Sequence, residues 1–243
     1  MEFAALANPA WHALTGAHAH LAIGEGAVRR YPASMSPFFG IESLAALPEL
    51  AAMLKPGEGA ALISAFSIET PPAGLIIVDR LPLLQMIAPE VAEADSDQDL
   101  LPLGAEDSPD MLALAELTKP GPFGPDTYRM GPFAGYRDNG RLVAMTGQRL
   151  ALPAHTEISG VCTHPDYLGR GYARALVSKV ARAVLAEGKT PFLHVLPDNH
   201  GATAVYSKLG FTEHARPNVT VLVRPDPEAS GSRDGLDLHA ERR

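Results

Sequence analysis

The residues best able to do chemistry in this 243-residue chain cluster between Glu157 and Phe211. Gly169 and Gly171 sit in the stretch His164-Pro165-Asp166-Tyr167-Leu168-Gly169-Arg170-Gly171-Tyr172-Ala173-Arg174. Before it lies an apolar, partly β-branched run, Glu157 to Thr163; after it, Ala173 to Glu187 has helical spacing. A strand that turns on glycines into a helix aims several backbone N–H groups at one point, with the positive end of the helix dipole behind them. Such a point binds an anion, most often a phosphate, and Arg170 and Arg174 stand close enough in sequence to assist. Asn199 and Tyr206 are seven residues apart, two helical turns, and share a helix face with Thr203 between them, so one ligand can touch both. Cys162 is the single cysteine, on the strand before the turn. Strand alternation puts His164 on its face and His155 on the other, and neither is assigned as an activating base, so the preferred reading is a small buried residue.

The flanking elements follow from punctuation and periodicity. Leu176, Val177, Val180 and Val184 form one face of the helix after the turn and Arg174, Ser178 and Arg182 a wet one, with Gly188 as its stop. Pro191 to Leu196 reads as a buried strand, His200 to Leu209 as a short helix capped by Asn199, and Phe211 to Glu213 and Asn218 to Arg224 as strands. Upstream, Asp138-Asn139-Gly140 joins strands Phe133 to Arg137 and Arg141 to Leu150 as a hairpin. Gln98 to Leu103 reads as a strand, Ser108 to Leu117 as a helix with Ser108 as N-cap, and Thr118 to Pro125 as a loop.

Residues 1–95 read as a smaller α/β unit: helical spacing from Ile41 to Leu54, a turn at Pro56 to Gly59, strands over Ala61 to Ile68 and Leu75 to Val78. The acidic run Val91 to Asp97 reads as a linker, 98–225 as a second domain, and 226–243 as a flexible tail too poor in apolar residues to offset its own ordering.

Composition narrows the function classes. The net charge of −8, with no long Lys/Arg cluster, argues against nucleic acid as a partner. No apolar run reaches the ~20 residues that cross a bilayer, and no leader pattern opens the chain, so a soluble cytoplasmic protein is expected with no membrane association. One cysteine excludes an internal disulfide framework. His12, His18 and His20 lack a nearby carboxylate or thiol to complete a ligand set and read as scattered surface histidines, so no metal is expected.

The succession of strand, glycine turn, helix, strand, Asn-led helix with Tyr206, then Leu209-Gly210-Phe211 resembles the GNAT superfamily of acyl-CoA-dependent N-acetyltransferases, over residues 98–225. The family signature Gln/Arg-x-x-Gly-x-Gly/Ala matches Leu168 to Ala173, with Leu168 departing at the first position. The resemblance implies an α/β (α+β) fold: a mixed, mostly antiparallel central sheet flanked by helices. It implies acetyl-CoA as co-substrate, its pyrophosphate on the backbone of Leu168, Gly169, Arg170, Gly171, Tyr172 and Ala173. It also implies pantetheine contacts from Val161, Cys162, Thr163 and Asn199, Tyr206 as the acid that protonates the leaving thiolate, and Glu157 as base.

Direct transfer from a thioester needs a neutral amine, a stabilised oxyanion and a proton for sulfur. The expected activity is therefore transfer of an acetyl or short acyl group to a small-molecule amine or peptide N-terminus in a ternary complex. The rival reading is a non-catalytic acyl-CoA-binding or regulatory module, motivated by Leu168. The N-terminal unit is expected to bind no coenzyme, and to be either a degenerate copy of the same fold or a lid. Acceptor specificity is placed in the Lys119 to Tyr128 loop and parts of that unit.

Overall fold

The structure, a computed structural model, describes residues 3–94 and 99–227. The chain opens with α1 (Pro9–Leu14), β1 (Val28–Arg30), β2 (Phe39–Ile41), α2 (Leu47–Met53), β3 (Gly59–Ser64), β4 (Ile76–Pro82) and β5 (Leu84–Ile87). It continues with β6 (Leu101–Leu103), α3 (Ser108–Thr118), β7 (Phe133–Asp138), β8 (Arg141–Ala151), β9 (His155–Thr163) and α4 (Tyr172–Ala186). Last come β10 (Thr190–Val195), α5 (His200–Lys208), β11 (Thr212–Ala215) and β12 (Asn218–Val223). Seven strands form the central sheet in the order β11-β5-β10-β9-β8-β7-β6. Each neighbouring pair is antiparallel except β9 and β10, so the sheet is mixed and mostly antiparallel. β3, β12 and β4 make a separate antiparallel sheet with β12 in the middle.

Strand pairing runs across the division expected near residue 95. β5 lies between β10 and β11 inside the central sheet, while β12 leaves that sheet to pair with β3 and β4. β3 and β4 do not pair with each other; β12 lies between them. Periodicity states that a segment is a strand but not which strand it meets, because pairing across 100 residues is set by the assembled sheet. The proposed linker is corrected. Ala92 donates its N–H to Leu209 O at 2.9 Å, and Ser178 Oγ donates to Ala92 O at 2.7 Å and accepts from Ala94 N at 3.1 Å. Glu93 pairs with Arg182. Val91 to Ala94 is therefore docked on α4, and Ser178, expected on a wet face, is buried; Asp95 to Asp97 and 228–243 lie outside the described residues.

Local chemistry explains most elements. Asn139 (φ 48°) and Gly140 (φ 84°) take the positive angles of a tight hairpin between β7 and β8. Asn199 Oδ1 accepts from Ala202 N at 3.1 Å and caps α5. Asp107 Oδ2 accepts from Gly104 N and closes the 3-10 turn ahead of α3, while Ser108 Oγ, expected as the N-cap, instead donates to Pro125 O. Helical spacing over Ile41 to Leu54 resolves into the end of β2, a 3-10 turn and α2, because Ile41 pairs with Val28. The strand expected from Gln98 begins at Leu101, with Gln98 outside the described residues, and the one expected over Ala61 to Ile68 is β3, ending at Ser64. One face of the central sheet packs Ile158, Leu193 and Met86 on Val177, Val180 and Val184 of α4. The other packs Phe133, Met145 and Cys162 on α3, and Leu150 and Phe192 beside Ala10 and Leu14 of α1.

Candidate active site

The glycine turn has the geometry its sequence implies. Gly169 and Gly171 hold φ of 76° and 81°. A Cβ at either would meet nothing within 4 Å, so glycine is required for the backbone angle rather than for space. None of the six backbone N–H groups from Gly169 to Arg174 donates to an acceptor among the described residues; the first bond of α4 runs from Ala175 N to Gly171 O, at 3.0 Å. Free donors at the head of a 15-residue helix form an anion cradle. Arg170 lies over the Tyr167 ring at 4.6 Å, and Tyr167 donates to Asp138 Oδ2 at 2.6 Å, which steadies the turn from outside. Leu168 is 65% exposed and leaves the cradle to the backbone.

β9 leads to this cradle along an open edge. Its parallel pairing with β10 ends at Phe192 opposite Glu157, yet β9 continues beside β8 to Thr163 and β10 beside β5 to Val195. Beyond Glu157 the two strands therefore part, and the β10-facing edge of β9 from Ile158 onward has no strand partner among the described residues. At the end of β9, Thr163 Oγ1 is buried with no hydrogen-bond partner among the described residues. A bulge accompanies the parting: Met145 opposes Cys162 and Gly147 opposes Ser159, and Gly160 takes φ 62°. The extra residue flips the alternation, so Glu157 and Cys162, five apart, both face away from α4. The same flip puts His155 on the Cys162 face, correcting the simple alternation count.

Glu157 is fully enclosed, at 0% exposure. Arg149 donates to it twice, Nε to Oε2 and Nη2 to Oε1, both at 2.8 Å, and His194 Nδ1 donates to Oε1 at 2.8 Å. Gln85 Nε2 donates to His194 Nε2 at 2.9 Å and to Leu6 O at 3.1 Å. The tautomer with its hydrogen on Nδ1 satisfies both His194 contacts. Burial alone would raise the Glu157 pKa, but the Arg149 charge and these hydrogen bonds outweigh it and hold it down, at about 2. A carboxylate held this way accepts a proton poorly, and its two oxygens hold Arg149 and His194 in place.

Cys162 lies among Met111, Leu114 and Met145, and burial pushes its thiol up to about 12 despite a hydrogen bond with Thr118. It is a packing residue with almost no thiolate at neutral pH. On α5, Tyr206 is 7% exposed and packs in the α4 cluster, its ring 6.1 Å from Phe211, while Asn199 is exposed with Oδ1 engaged as a cap. The two share a helix, but one enters the core and the other faces solvent. His18 is corrected from a surface residue: it is buried, with Nδ1 2.9 Å from Tyr31 Oη, and burial together with His20 lowers its pKa to about 4. No group of three or more potential metal ligands occurs among the described residues.

Where β9 and β10 part, a cleft opens on the face away from α4. It encloses about 560 Å3, part of it open solvent. Phe38, Ile63, Leu81 and Val219 wall it on one side and Pro120 to Pro122 on another, with Arg149 and His194 at its polar end. The loop after α3 and the N-terminal strands thus meet over the splayed strands.

The family described as FR47-like protein matches residues 134–221, the span from β7 through most of β12. A GNAT-family protein from Novosphingobium aromaticivorans is 37% identical, covers 90% of this chain and 98% of its own, and superposes with a TM-score of 0.84. The chain belongs to the GNAT family. A GCN5-related N-acetyltransferase from Kribbella flavida, 16% identical, shares the fold with a TM-score of 0.55 over 86% of this chain and 91% of its own. An acetyltransferase of Yersinia pestis is 40% identical over 50 residues, 20% of this chain; that match spans 35% of the curated relative's length.

Within this GNAT chain, the turn and the free edge of β9 adjoin in sequence and structure, as the signature implies. Sequence reasoning missed Arg149, His194 and Gln85. A signal for Arg149 was present: a lone arginine inside the apolar run Leu142 to Leu152 must find a buried partner. His194 and Gln85 carried none, since each meets its partner only across strands far apart in the chain.

Proposed function

We propose that the protein transfers an acetyl, or another short acyl, group from acyl-CoA to an amine by direct attack in a ternary complex. The observation that carries this reading is the continuity of two unfilled backbone surfaces. The free N–H groups of Gly169 to Arg174 adjoin the unpaired edge of β9, so a pyrophosphate and the arm extending from it have adjacent donors. Gly169, Arg170, Gly171, Tyr172 and Ala173 hold the pyrophosphate through the backbone, and Leu168, whose N–H donates to Pro165 O at 3.3 Å, lines the approach. Val161, Cys162 and Thr163 serve the pantetheine and the thioester oxygen through theirs, and Asn199 offers its free amide nitrogen to the arm. The donor set fits a coenzyme that is polar at its head and amide-bearing along its arm.

In the reaction the amine nitrogen bonds to the thioester carbon, the carbon–sulfur bond breaks, and Tyr206 gives its proton to the departing thiolate. The attacking nitrogen loses a proton to solvent, which returns one to Tyr206, so the products are an amide and free coenzyme A. Glu157 contributes by fixing Arg149 and His194 beside the acceptor cleft. Isothermal titration with acetyl-CoA and coenzyme A, followed by thiol release with a panel of amines, tests the reading. Failure to bind either coenzyme form would overturn it.

A further inference from the structure

The cleft over the splayed strands has a distinctive charge pattern. Its walls are apolar, from Ile63, Leu81, Leu83 and Val219, and among the described residues no aspartate or glutamate lines it. The carboxylate behind it, Glu157, is enclosed and paired with Arg149. A polyamine or a lysine-like acceptor entering here leaves a second ammonium group desolvated with no counter-charge, which is costly. Arg149 presents the opposite chemistry. Nε and Nη2 are engaged by Glu157, its guanidinium lies 5.0 Å from the centre of the Phe38 ring, and the residue borders the cleft with 8% of its surface exposed. Nη1 takes no part in the pair with Glu157 and is the guanidinium nitrogen left to donate to an oxygen in the cleft.

We propose that this cleft is the acceptor site and that it selects an α-amino group carried beside a carboxylate or carbonyl oxygen on an apolar side chain, the oxygen on Arg149 Nη1 and the side chain against Leu81 and Val219. The proposal rests on the acetyl-transfer reading and narrows its acceptor. Free apolar amino acids and peptides with an apolar first residue share this chemistry.

The test compares kcat/KM for leucine, phenylalanine and a phenylalanyl dipeptide with isoamylamine, phenethylamine and spermidine, after an acetyl-CoA titration on the same preparation. At least one oxygen-bearing acceptor is expected to exceed its matching plain amine and spermidine by about tenfold or more, since the plain amine leaves a buried donor unpaired. Preference for free amino acids over the dipeptide, or the reverse, identifies the source. A Pro122→Glu variant, in a half-buried loop position of the cleft wall, supplies the missing counter-charge and should raise relative turnover of spermidine about tenfold while acetyl-CoA binding stays intact. If acetyl-CoA binds and spermidine or the plain amines match or exceed the amino acids, or none of the six is acetylated, this inference falls and the acetyl-transfer reading stands. If acetyl-CoA does not bind, both fall.

Discussion

Arg149 and Glu157 face each other across the β8–β9 turn, joined by two hydrogen bonds of 2.8 Å at positions 8% and 0% exposed. The pair sits where β9 and β10 separate, and His194 joins it from β10. The ion pair thus ties β8 to β9, and the His194 bond to the same carboxylate ties β9 to β10, at the point where β9 and β10 part. Removing one partner leaves a charge buried without its counter-ion, whereas removing both leaves none.

Glu157→Gln is expected to destabilise the fold by about 3–5 kcal/mol in urea titration, the cost of stranding a buried guanidinium. Joint replacement, Arg149→Met with Glu157→Leu, should recover most of that loss. Equal destabilisation by the single and the double variant would show that a stranded charge is not the cause.

Tyr206→Phe should lower kcat by about 100-fold or more, the range for loss of a positioned proton donor, while acetyl-CoA affinity from isothermal titration stays unchanged. Unaltered kcat would remove Tyr206 as the acid. A purely acyl-CoA-binding module would give no turnover in either protein.

Cys162→Ala should retain full turnover and lose about 1–2 kcal/mol of stability, the effect of a small cavity beside Met145. With its pKa pushed up by burial to about 12, the native thiol should resist iodoacetamide at pH 8 until the protein unfolds. Rapid alkylation of the folded protein, with loss of activity, would contradict this.

His18 makes stability depend on pH. Its folded pKa is lowered to about 4 against an ordinary 6.5, so the unfolded chain takes up the proton first. The contribution is full above about pH 6.5 and is lost as pH falls towards 4, with roughly 3 kcal/mol at stake. Glu157, also depressed, adds a further loss below about pH 4.5. Melting temperatures measured from pH 7.5 to 4 should fall in the native protein and flatten in His18→Gln between pH 6.5 and 4.5; parallel curves would exclude His18 as the source.

The turn makes two opposite predictions. Gly171→Ala places a Cβ on a residue at φ 81°, costs about 1 kcal/mol, and should weaken coenzyme A binding by re-aiming the N–H groups. Leu168→Arg, at an exposed position, should tighten binding severalfold by adding a charged donor. Coenzyme affinities indifferent to both changes would mean that the pyrophosphate is held elsewhere.

The sequence by itself determined what depends on neighbours in the chain. The Asn139-Gly140 hairpin, the Asn199 cap, the paired positive φ angles at Gly169 and Gly171, and the apolar face of α4 each arise from a few adjacent residues, and each appears as read. Only the tertiary structure decided which distant strands meet. β5 enters between β10 and β11, β12 crosses to β3 and β4, and Gly160 flips the parity of β9. Those choices enclosed Glu157, the expected base, against Arg149 and His194, brought Gln85 and His194 together, and walled the cleft with residues from both ends of the chain. Strand partners and buried charge pairs are settled by the packing of the whole sheet, and no local pattern encodes them.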